Sequence, residues 1–85
     1  MSEARIDIGQ GHEVAFFELE GERYGATLYH KAPNGEDCAC CLFWARRPDP
    51  IWRATSIEPL TLEPSIKCLV CGDHGWIREG KWVSA

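Results

Sequence analysis

The sequence predicts a small, mostly-β, zinc-stabilised single domain built of zinc-ribbon-like knuckles and β-hairpins, and three observations carry that expectation. Two cysteine clusters, Cys38-Ala39-Cys40-Cys41 and Cys68-Leu69-Val70-Cys71-Gly72-Asp73-His74, each contain a C-x2-C pair. Short apolar runs are broken by turn residues, and no window repeats apolar positions at i, i+3, i+4 and i+7 between helix caps. At 85 residues the chain is marginal on its hydrophobic core alone, and a bound metal would relieve that.

The strands follow from the pattern in order. Residues 13–19 and 23–29 are apolar-rich and flank Glu20-Gly21-Glu22, which fits a hairpin. Pro33-Asn34-Gly35 marks a turn. Residues 41–44 are apolar without alternation, as in a buried strand leaving the first cysteine cluster, and Pro48-Asp49-Pro50 ends it. Residues 51–55 form a further strand, and residues 75–83 a hairpin turning at Glu79-Gly80. Residues 1–11 carry two glycines and no apolar periodicity, so they are expected to fray, leaving 12–85 as the single domain.

Zinc chemistry explains the cysteine spacing. Two intervening residues let a tight turn aim both sulfurs at one ion at about 2.3 Å. Cys38, Cys41, Cys68 and Cys71 make a four-cysteine set, with Gly72 supplying the turn after the second pair. His74, spaced C-x2-H from Cys71, is a further ligand candidate, and the surplus thiol Cys40 leaves the choice within the first cluster open. His30 is placed to approach that cluster as a ligand or as a hydrogen-bond partner to a thiolate, whereas His12, beside Gly11, is expected to be exposed. The count of five cysteines is odd and no apolar stretch follows a basic start, so a reducing, cytoplasmic setting with one structural Zn2+ is preferred to disulfides.

Charge narrows the partners. The net charge is −4, and residues 1–37 hold eight acids against three bases. That opposes a phosphate backbone, although Arg46, Arg47 and Arg53 lie near Trp44 and Trp52, a combination also used to stack bases. No membrane-length apolar run is present.

The C-terminal segment carries a resemblance. Pro59-Leu60-Thr61-Leu62-Glu63-Pro64-Ser65-Ile66, the Cys68-x2-Cys71-Gly72-Asp73-His74-Gly75-Trp76-Ile77 run and Gly80-Lys81-Trp82 together resemble small uncharacterised zinc-binding proteins of actinobacteria and their bacteriophages, over residues 59–83. The resemblance implies that Cys68, Cys71 and His74 are the constrained positions, and that the source is a phage or an actinobacterium.

Catalytic patterns fail in the sequence. A zinc deaminase needs H-x-E followed by P-C-x-x-C, but His12 and Glu13 are adjacent and no proline precedes Cys68. A thiol nucleophile built on Cys40 with His30 or His74 lacks a marked orienting group and oxyanion site. A closed ligand set leaves the metal no position for water. The resulting expectation is a non-catalytic binding module engaging a protein partner through Glu18, Glu20 and Glu22 or an exposed tryptophan. A nucleic-acid-binding zinc ribbon is the alternative, and a small zinc or thiol enzyme ranks below both.

Overall fold

The computed structural model describes residues 4–85, and no helix occurs among them. The chain begins with a four-stranded antiparallel meander. Its strands are β1 (Ile6–Gly9), β2 (His12–Leu19), β3 (Glu22–Lys31) and β4 (Asp37–Phe43), hydrogen-bonded in that order. A two-stranded hairpin follows, β5 (Arg53–Ile57) with β6 (Leu60–Glu63), and the chain ends in a three-stranded sheet of β7 (Ile66–Lys67), β8 (His74–Arg78) and β9 (Lys81–Ser84). The small, mostly-β architecture with hairpins is therefore the one the sequence predicts.

Three of the hairpins use one device. Gln10-Gly11, Glu20-Gly21 and Glu79-Gly80 each place both residues at positive φ between strands paired immediately on either side. This is the two-residue turn whose twist matches that of the strands, and glycine at its second position removes most of the steric cost. Of the 1–11 stretch expected to fray, residues 1–3 lie outside the described residues, while Ile6–Gly9 pairs with β2 and buries Ile8.

The core lies where the three sheets meet. Val14, Ala26, Leu28 and Leu42 from the meander pack with Leu60, Leu62, Ile66, Ile77 and Trp82 from the other two sheets. Trp44 closes one end, its indole donating to the Arg23 carbonyl at 3.0 Å. Close approach is required at Gly75, where an added Cβ would sit 2.6 Å from the Trp82 ring. Trp82 thereby lies flat against His12, ring centroids 4.1 Å apart. His12 is consequently buried rather than exposed as expected, because the first hairpin turn folds over β9, where the Gln10 side chain donates to the Trp82 carbonyl.

Candidate metal centre and serine–histidine pair

Two elements build a cysteine–histidine cluster. His30 on β3 and Cys38 on β4 are direct cross-strand partners, so their side chains leave the same face of the sheet. Residues 68–73 approach from the other side as a tight knuckle, in which the Gly72 amide donates to the Cys68 carbonyl at 2.8 Å and the Cys68 amide to the Asp73 carbonyl at 2.7 Å. The four potential ligand atoms of His30, Cys38, Cys68 and Cys71 all lie within 4.8 Å of one another. Cys38 Sγ is 3.6 Å from Cys68 Sγ, and His30 Nε2 is 3.2 Å from Cys71 Sγ. A tetrahedral zinc with Zn–S bonds of about 2.3 Å sets its sulfurs about 3.8 Å apart. The cluster could thus hold one zinc ion with no ligand position left for water.

Electrostatics fit the same ion. Burial raises the Cys68 thiol, but the backbone amides of Cys71 and Val70, with Cys38 and His30, more than offset it and lower its pKa to about 6. Cys38 is pushed up to about 11 by burial and by its neighbours Cys68 and Cys71. Without a cation, then, one sulfur ionises readily at the expense of the next. A divalent ion removes that conflict, since it favours every ligand as thiolate. The His30 ring is held by packing on His12, centroids 5.5 Å apart, and its buried Nδ1 has no hydrogen-bond partner among the described residues.

The positions named from sequence divide between two places. Cys38, Cys68 and Cys71 come together. Cys41 does not join them, and the reason is local: the first cysteine cluster lies inside β4 rather than before a strand, and in an extended strand residues three apart face opposite sides. Cys40 shares the Cys38 face but packs against the core, where burial pushes its pKa up to about 12. One knuckle plus a cross-strand pair thus stands where two knuckles are expected. Cys41→Ser should leave metal content unchanged in native mass spectrometry and shift stability by no more than about 0.5 kcal/mol in a thermal melt, whereas Cys38→Ser should lose the metal.

His74 also lies outside the metal cluster. It opens β8, exposed, with Nε2 3.0 Å from the Ser65 hydroxyl and its ring stacked on Trp76. Ser65 lies just ahead of β7, its carbonyl accepting a 3.4 Å hydrogen bond from the Trp52 indole. The Cys68–Asp73 knuckle connects β7 to β8, so His74, opposite Lys67, stands at the closed end of this hairpin, and Ser65 just beyond its open end. The other histidines are committed elsewhere. His12 meets the Gln10 carbonyl with Nδ1, at 2.8 Å, and the Asp73 carboxylate with Nε2, at 2.5 Å, while His30 Nε2 faces Cys71. Among the described residues, Ser65 and His74 make the one serine–histidine contact, and no carboxylate is bonded to His74. The sequence reading named His74 as a candidate metal ligand from its C-x2-H spacing and did not single out Ser65, which carries no nucleophile motif such as G-x-S-x-G.

No curated protein and no solved structure matched the chain. A family model described as bacterial ubiquitination-like system serine protease (BubE) matched residues 5–85. That match overturns the expectation of a non-catalytic binding module, together with its nucleic-acid-binding alternative: a closed metal site excludes chemistry at the metal, not at a serine elsewhere. The matched span takes in nearly the whole sequence, and the chain belongs to the BubE family of bacterial ubiquitination-like system serine proteases.

Proposed function

We propose that this protein is a serine protease in which Ser65 is the nucleophile and His74 its general base. The observation that carries the reading is the 3.0 Å contact between the Ser65 hydroxyl and His74 Nε2 in a chain of a serine protease family. In the first half-reaction Ser65 Oγ attacks the scissile carbonyl as its proton passes to His74. That proton then goes to the leaving amine, giving an acyl-serine. Water, deprotonated by His74, attacks the acyl group, and the proton returns to Ser65 as the ester breaks.

The substrate we propose is a protein of the bacterial ubiquitination-like system named in the family's description. Zinc is structural in this reading, held by His30, Cys38, Cys68 and Cys71, and no step passes through it. A bacterial cytoplasm suits a cluster that needs reduced thiols. Among the described residues no helix is long and apolar enough to cross a membrane. The C-terminal motif supports an actinobacterial or phage source.

A fluorophosphonate probe tests the assignment. Incubation of the intact protein should add one probe mass, located by peptide mapping on Ser65 and absent from Ser65→Ala. Labelling confined to another serine, or labelling retained in Ser65→Ala, would remove Ser65 from the mechanism.

A further inference from the structure

A protease must hold the chain on at least one side of the scissile bond, and one groove is lined by the residues that lead into Ser65. It has a volume of about 500 Å³, and Glu63 and Pro64, the two residues before Ser65, form one wall. Ile51, Trp52 and Arg53 form another. The Trp52 indole bonds the Ser65 carbonyl, which ties this wall directly to the nucleophile. Arg53 is the cross-strand partner of Glu63. Directly opposed residues lie about 5 Å apart, so a guanidinium on Arg53 reaches the approach to Ser65.

Arg53 differs from every other arginine of the described residues. Arg5 pairs with Glu13 and covers Tyr29, Arg23 pairs with Glu18 and covers Phe16, and Arg46 pairs with Glu22. Arg47 lies over Phe43 and Arg78 over Trp76. Arg53 has neither an ion pair nor an aromatic face, although Glu63 lines the same groove and Glu18, Glu22 and Glu58 line an adjoining one. Among the described arginines, exposed Arg53 alone has neither a bonded carboxylate nor a ring beneath it, and it lies on the wall of this groove.

We propose that the groove is a substrate subsite in which Arg53 receives the side-chain carboxylate of an aspartate or glutamate close to the scissile bond. Trp52, Pro64 and Ile51 flank the open groove with apolar surface, and the planar fork of Arg53 can donate two parallel hydrogen bonds to a carboxylate. The inference rests on the reading of Ser65 and His74 as the reacting pair. Given a residue rise of about 3.3 Å in extended chain, the selected acid falls within about three residues of the cleaved bond.

The test is cleavage profiling of a peptide library from a digested bacterial lysate, with the full-length protein. Wild type, Arg53→Gln and Arg53→Glu are compared at equal concentrations of fluorophosphonate-titrated sites. New termini read by mass spectrometry should show Asp and Glu enriched near the cut in wild type. That enrichment should fall by at least about tenfold in Arg53→Gln, the loss expected for one charge-assisted contact, and give way to Lys and Arg in Arg53→Glu. Cleavage by wild type without acidic enrichment, an unchanged profile in Arg53→Glu, or a labelled enzyme that cuts no peptide would each overturn the subsite. Failure of Ser65 to label, with no cleavage, would instead overturn the reacting pair on which it rests.

Discussion

Stripping the metal should unfold this protein. A structural zinc contributes on the order of 10 kcal/mol at neutral pH, comparable to the whole stability of a typical domain. The ligands also cross-link two sheets: His30 and Cys38 belong to the first, and Cys68 and Cys71 to the knuckle between the first two strands of the last. In chelator, the fluorescence of the buried Trp44 and Trp82 should shift to that of exposed indole, and the thermal transition should vanish. Cys71→Ser should reproduce this without chelator. Acid should act in the same direction: each thiolate that takes a proton gives up the ion, so metal content falls as pH falls. Protein that purifies without metal and melts cooperatively in chelator would refute the prediction.

His74→Ala should separate the two centres. If His74 is the base, peptide hydrolysis should drop by about 10²–10⁴-fold, the usual contribution of such a group, while zinc stoichiometry and melting temperature hold near wild type. The sequence expectation of His74 as a ligand makes the opposite forecast, in which metal content falls as far as it does in Cys71→Ser. Elemental analysis alongside a rate measurement decides between them. The exposure of His74 makes misfolding an inadequate explanation for a lost rate, since an exposed ring contributes little to the core.

The strands and their turns were legible because their signals are local. The Glu20-Gly21 and Glu79-Gly80 turns can be read from residues that are adjacent in sequence, and both hairpins form there. The metal was legible for the same reason at the knuckle, where Cys68, Cys71 and Gly72 lie within one turn. His30 was harder, because its place opposite Cys38 depends on the register of β3 against β4. Cys41 misled because C-x2-C converges on one ion only in a turn, and the sequence does not say that β4 already runs through it. Ser65 was the least legible. Its proposed role depends on a histidine nine residues on, and contact with it follows from the pairing of β7 with β8 rather than from any motif around the serine.

The knuckle that joins β7 to β8 has a consequence for how such an enzyme would be switched off. Ser65 precedes one strand of this hairpin and His74 begins the other, and the loop between them carries two of the four metal ligands. Thiol oxidation or competition for zinc would therefore act as inhibition at a distance, parting nucleophile from base without touching either. In a cell, the proposed proteolysis would then follow zinc supply and redox state as closely as it follows substrate.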